Sequence, residues 1–117
     1  MSRALVVDDN AVNRKLAVAL LKRRGWDTAE AENGEVGLSL MASQAFDAVV
    51  LDISMPVLDG EETCRRIRAN PAWAGIRVVA YTAHALESER QRIMGAGFDD
   101  MVIKPVTAQD LLRALPD

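Results

Sequence analysis

Aspartates stand directly after two apolar runs of this sequence, a threonine after a third, and a lysine–proline pair after a fourth. Asp8 and Asp9 follow Ala4–Val7, and Asp52 follows Ala48–Leu51. Thr82 follows Val78–Tyr81, and Lys104-Pro105 follows Met101–Ile103. Three carboxylates brought together repel at neutral pH, and at least one pKa rises unless a cation joins them. Mg²⁺ suits such a place, because it takes oxygen ligands, keeps several waters, and binds through one or two carboxylates plus a phosphate. A lysine adds a fixed positive charge, and a threonine adds a hydroxyl donor. Together these are the parts for stabilising a phosphoryl group on a carboxylate. Phosphoryl transfer depends on positioning and on neutralising oxygen charge, and aspartyl carboxylates serve as its nucleophiles. Each residue alone has an ordinary use: Asp-Asp as a turn or helix cap, Thr82 as a helix N-cap, Lys104-Pro105 as a plain turn. The signal is their joint appearance, each at the end of an apolar run.

The elements that must position them are five short runs: Ala4–Val7, Thr28–Ala31, Ala48–Leu51, Val78–Tyr81 and Met101–Ile103. Their spacing is too long for hairpins, and the intervening segments have helical character. Strands alternating with helices imply a parallel α/β sheet. Runs one, three and four are almost wholly apolar, as strands buried on both faces are; the second alternates with glutamate, which suits an edge. Helix ends are legible. Gly25 follows Lys22-Arg23-Arg24, Asn33-Gly34 opens a helix to about Gln44, and Gly60 precedes Glu61-Glu62. Asn70-Pro71 ends a third helix, Gly95 and Gly97 end a fourth, and Thr107 caps a fifth over Gln109–Leu115, with Asp110 at the capping-box position. In such a sheet ligands bind beyond the carboxyl ends of the strands, where the polar residues fall.

Composition narrows the class. The chain has 117 residues, half of them apolar, which predicts one domain with a substantial core. A net charge of −3 argues against direct nucleic-acid binding. One cysteine excludes a disulfide scaffold and fits a reducing compartment. The longest apolar run, Leu16–Leu21, is far short of the ~20 residues needed to span a bilayer, and no signal peptide is evident. A cytoplasmic domain without membrane contact is expected. A flavin-binding reading fails on charge, because Asp8-Asp9-Asn10 would repel the cofactor's phosphate.

With these residues in hand, the sequence resembles the receiver domains of two-component response regulators. The match is carried by Leu5-Val6-Val7-Asp8-Asp9-Asn10, Val50–Gly60, Tyr81-Thr82-Ala83-His84-Ala85, and Gly97-Phe98-Asp99-Asp100 through Lys104-Pro105. It spans essentially the whole chain. It implies a flavodoxin-like doubly wound (βα)5 fold with strand order 2-1-3-4-5, and a single receiver domain over 1–117 without an output domain. Asp52 would be the phosphoacceptor. Asp9 would bind Mg²⁺ directly with Asp52 and the Ser54 backbone carbonyl, and Asp8 would assist through water. Lys104 would contact the phosphoryl oxygens, Thr82 would move to hydrogen-bond the group, and the Lys104–Pro105 peptide would be cis. The donor would be a histidine kinase or histidine-phosphotransfer domain, and the output a downstream protein partner docking to a switched surface.

One position departs from the family. Three residues before the lysine, where an aromatic is usual, stands Met101, so coupling of a threonine to a swinging aromatic does not carry over. Tyr81 is expected to point to the other face of its strand from Thr82. His84 is most simply a solvent-facing helix-start residue; in the family its position borders the phosphoryl group, so His84, like Ser54, is a candidate for tuning its lifetime. On the first helix Val12, Leu16, Ala19 and Leu20 share a side, and with Ala17 and Leu21 the apolar arc spans roughly 200°, more than the ~100° a core-facing helix needs. The plain reading is deep packing. The sharper one is a partner-docking patch of Val12, Asn13 and Leu16 near the acidic pocket, with Val106. Cys64, Trp26 and Trp73 read as packing residues, and Arg65, Arg66 and Arg68 as a solvated basic face. Two other classes compete: a small aspartyl-phosphate phosphatase, disfavoured because Ser54 stands where a second aspartate would be needed, and a phosphorylation-independent interaction module.

Overall fold

The computed structural model of the chain describes residues 2–83 and 86–116; His84 lies outside the described residues. The chain alternates β1 (Arg3–Val7), α1 (Ala11–Arg23), β2 (Asp27–Ala31), α2 (Gly34–Ser43), β3 (Ala48–Asp52), α3 (Gly60–Ala69), β4 (Arg77–Thr82), α4 (Glu87–Gly95), β5 (Asp100–Ile103) and α5 (Ala108–Ala114). The strands form one parallel sheet in the order β2-β1-β3-β4-β5. The glutamate-bearing β2 is indeed an edge. Every expected strand is present; β1, β2, β4 and β5 begin one residue before the apolar run that marks each, and β3 begins with its run at Ala48. A single turn of 3₁₀ helix at Pro71–Trp73 lies outside the sequence expectation.

Alternation along the buried strands feeds two cores. Leu5, Val7, Val49, Leu51, Val78 and Ala80 face the layer of α2, α3 and α4. Ala4, Val6, Val50, Val79, Tyr81 and Val102 face α1 and α5. Neither face of the central strands reaches water, which is why their sequences are continuous apolar runs rather than alternating ones.

The helix ends follow from local chemistry. Asn10, Asn33, Asp59 and Thr107 each accept a hydrogen bond from the backbone N–H three residues on, satisfying a donor that the first turn leaves open. Gly25 at φ 85° carries the chain out of α1 in the left-handed region. The last carbonyls of α5 are met from a distance: Arg24 donates to Leu111 O and Leu115 O, and Arg77 donates to Ala114 O. α4 differs, since its N-cap Leu86 offers no side-chain cap. No helix among the described residues is long and apolar enough to cross a membrane.

Candidate phosphoryl-acceptor site

The chain runs from β1 outward to β2, then crosses back over β1 to β3. This reversal opens a crevice at the carboxyl ends of β1 and β3. Register decides what fills it. Val7 pairs with Leu51, so Asp8 lies level with Asp52; Asp52 pairs with Tyr81, and Thr82 with Ile103, one residue before Lys104. Four strand ends thus deliver their polar residues to one place. Asp52, Thr82 and Lys104 line an open cleft of about 630 Å³, with Asp9, Asn13 and Ser54 among the other lining residues. Carboxylate oxygens of Asp8, Asp9 and Asp52 all lie within 4.8 Å of one another.

Lys104 closes the group from the β5 side. Its Nζ is 3.1 Å from Asp52 Oδ1 and 3.1 Å from Asp8 Oδ2. The Lys104–Pro105 peptide is cis. The ammonium also lies 5.0 Å from the centroid of the Tyr81 ring. Tyr81 projects, as alternation requires, into the α1–α5 core, where its hydroxyl donates to Asn13 O at 3.3 Å. Burial pushes that hydroxyl's pKa up to about 12.

The acids are not equivalent. Asp8 is fully buried, Asp52 nearly so, and Asp9 is exposed at the mouth. Asp8 Oδ1 accepts from Asn10 N, and Asp52 Oδ1 from Ser54 N at 3.3 Å. Asp8 Oδ2 is buried and faces Lys104 as a charge partner without a properly directed hydrogen bond. Such an atom is costly to bury and is suited to an added cation or its water. The pKa of Asp52 is pushed up to about 7, first by burial and further by the Asp8 charge, against the lowering pull of Lys104. Mutual repulsion, the cause expected from the sequence, contributes, but withdrawal from water is the larger cause. Three clustered carboxylates form a hard, oxygen-rich donor set that fits Mg²⁺.

Gly60, legible in the sequence as a helix-start signal and as part of the Val50–Gly60 segment, has a steric duty. A Cβ there would sit 2.2 Å from the Asp52 carbonyl oxygen and 2.8 Å from Ile53 Cα. Only glycine lets α3 start against the strand end that carries Asp52. Sequence reasoning also missed Asp59, Glu61, Glu89 and Arg92, which line the same cleft from α3 and α4. Asp59 and Glu61 stand at the start of α3, where their types read as helix-start acids, and Glu89 and Arg92 join them only because α4 borders the same cleft.

The docking expectation needs correction in part. Val12 is 78% exposed and Leu16 packs partly against the core, but Val106 is 4% exposed and belongs to the core under α1 and α5. Packed in that core, Val106 offers a partner almost no surface. Ala19 is exposed rather than core-facing, and the buried stripe of α1 is Ala17, Val18 and Leu21. Arg68 is likewise not a member of a solvated face, since it donates to Gly97 O, Ile76 O and Asp99. Met101 is 3% exposed within the core that α2, α3 and α4 cover.

Comparison with known proteins agrees with this geometry. The family profile described as the response regulator receiver domain matches residues 4–116. The chain is 34% identical over 116 residues to the sensor protein GacS of Pseudomonas syringae pv. syringae, covering 97% of this chain and 13% of that protein. It is 37% identical over 111 residues to the sensor histidine kinase RcsC of Salmonella typhi, covering 95% of this chain and 12% of that protein. It therefore spans about an eighth of these relatives. Among solved structures, the receiver domain of the sensor histidine kinase PA1611 from Pseudomonas aeruginosa, described with magnesium coordinated in its active-site cleft, superposes with a TM-score of 0.87 at 32% identity over 96% of this chain and 92% of that one. The chemotaxis protein CheY4 of Vibrio cholerae shares the fold, with a TM-score of 0.92 at 24% identity over 99% of this chain and 97% of that one. Sheet order, acidic cleft and sequence match converge: this chain belongs to the response regulator receiver domain family and is similar to the receivers carried by hybrid sensor kinases.

Proposed function

We propose that Asp52 accepts a phosphoryl group from a phosphohistidine on a histidine kinase or histidine-phosphotransfer domain. The observation that carries this reading is the meeting of three carboxylates within 4.8 Å with one lysine 3.1 Å from two of them. An Asp52 oxygen forms the new bond to phosphorus as the phosphorus–nitrogen bond to the donor imidazole breaks; with its other ring nitrogen already protonated, the imidazole leaves neutral. Asp9, Asp52 and the Ser54 carbonyl would hold Mg²⁺, with Asp8 reaching it through water; bound there, the ion supplies neutralising charge to the phosphoryl oxygens. Lys104 swaps part of its contact with Asp52 for the incoming oxygens. Thr82, at the end of β4 and lining the cleft, donates its hydroxyl to the group. The product adds about −1.5 to −2 charge, which biases a surface of α4, β5 and α5 toward a downstream protein partner. Water later removes the group. The protein is in this reading a stoichiometric acceptor in the cytoplasm rather than an enzyme on external substrates, and residues 1–117 form one receiver unit. Val12, Asn13 and Leu16 are the donor-facing patch, with Val12 its exposed apolar member.

The test is incubation with a small phosphodonor and Mg²⁺ followed by intact mass. A single phosphoryl adduct is expected in the wild type and none in Asp52→Asn. No wild-type adduct under conditions where Mg²⁺ binding is confirmed sinks the proposal. The phosphatase reading predicts multiple turnover on a phosphomonoester, a result that would reverse the ranking.

A further inference from the structure

Glu61 and Arg92 meet beside the cleft that leads to Asp52. Arg92 Nε donates to Glu61 Oε1 at 2.9 Å, joining α4 to the first turn of α3. Glu61 follows Gly60, which abuts the Asp52 carbonyl, and its other carboxylate oxygen lies 3.7 Å from Arg65 on the next turn of α3. Its side chain is 17% exposed, whereas that of Arg92 is 57% exposed.

The balance of charge lining the cleft is acidic. Asp9, Asp52, Asp59, Glu61 and Glu89 contribute carboxylates; among the described residues the cations are Lys104 and Arg92. Lys104 is committed to Asp8 and Asp52. Arg92 is the cation on the α4 side, and Glu61 occupies it. A small anionic phosphodonor approaching Asp52 therefore meets carboxylates and a guanidinium already paired through its Nε with Glu61.

Resting on the reading of Asp52 as phosphoacceptor, we infer that the Glu61–Arg92 pair is a donor-specificity device. Glu61 withholds the Arg92 guanidinium from small anionic donors, and transfer is left to a macromolecular donor whose own contacts hold its phosphohistidine at the cleft. Freed from Glu61, Arg92 becomes a planar, always-charged anion site at the entrance, and local donor concentration rises with the field.

The test compares second-order rate constants for phosphorylation by acetyl phosphate and by the less charged phosphoramidate, at low and high salt. The proteins are the wild type, Glu61→Gln, Arg92→Gln and the double variant. Glu61→Gln is expected to react about fivefold faster with acetyl phosphate at low salt, the scale of one added charge contact in water. The gain shrinks at high salt, is smaller for phosphoramidate, and disappears in the double variant. Mg²⁺ affinity, measured by calorimetry, stays unchanged in all four. No gain in Glu61→Gln, a gain that survives loss of Arg92, or a gain that tracks a changed Mg²⁺ affinity would each overturn the inference. These outcomes are separable from failure of the acceptor reading itself, in which the wild type takes up no phosphoryl group from either donor.

Discussion

Among the described residues, a single buried carboxylate, Asp52, carries the largest pKa displacement. The Asp52 pKa is raised from an ordinary 3.8 to about 7. In the unfolded chain the group loses its proton near the ordinary value; in the folded, metal-free protein it keeps it. Its contribution to stability is therefore full below about pH 4 and is lost as pH rises toward 7, because folding then forces either proton uptake or a buried charge. Urea midpoints measured in a chelator at pH 5 and pH 8 are expected to fall more steeply for the wild type than for Asp52→Asn. At pH 8, Mg²⁺ is expected to raise the wild-type midpoint and to raise that of Asp52→Asn much less. Equal pH slopes in the two proteins would contradict the assignment. Asp8, Asp9, Asp52, Thr82 and Lys104 were legible in the sequence because each ends an apolar run. The clasp of Lys104 on Asp8 and the Tyr81 ring beside that lysine were not, since they depend on side chains meeting across three strands.

The connection from β3 to α3 concentrates the local constraints. Gly60 has no space for a Cβ, and the atom it would strike is backbone, which cannot swing aside. Gly60→Ala is expected to cost about 2 kcal/mol or more by overpacking and to slow acceptor chemistry by displacing Asp52; both are readable in urea melts and adduct formation. Val57 is the opposite case. It sits at φ 73° with its side chain 72% exposed, so it bears left-handed strain with little burial in return. Val57→Asn is expected to stabilise the protein by about 1 kcal/mol, because a β-branched residue is replaced by one that tolerates this region; an unchanged or lowered midpoint would count against strain there. Nothing in Val57's neighbours along the sequence announces a positive φ.

At the scale of the molecule, one arginine joins several elements. Arg68, on the last turn of α3, reaches Gly97 O at 2.8 Å, Ile76 O at 2.7 Å and Asp99 Oδ2 at 2.6 Å, while Asp99 also accepts from Val78 N. It thus ties α3 to the entry of β4 and to the turn between α4 and β5. Arg68→Ala is expected to destabilise by about 2–3 kcal/mol through lost charge-assisted bonds and unmet carbonyls, whereas Arg66→Ala, which removes an exposed pair with Glu62, is expected to cost under about 1 kcal/mol. Comparable losses for the two would refute the distinction.

The alternation of buried strands with capped helices, and the chemistry at the strand ends, was determined by the sequence itself. Apolar runs, Asn and Asp caps, and glycine stops are local signals whose physics operates within a few residues. What only the tertiary structure decided is everything that depends on which strands lie side by side. The reversal of order between β1 and β3 sets Asp8 level with Asp52, burial more than repulsion raises the Asp52 pKa, and the placement of α4 beside the start of α3 brings Arg92 to Glu61. Contacts between residues far apart in the chain leave no periodicity to read, because they arise from the sheet order and not from any spacing within one element.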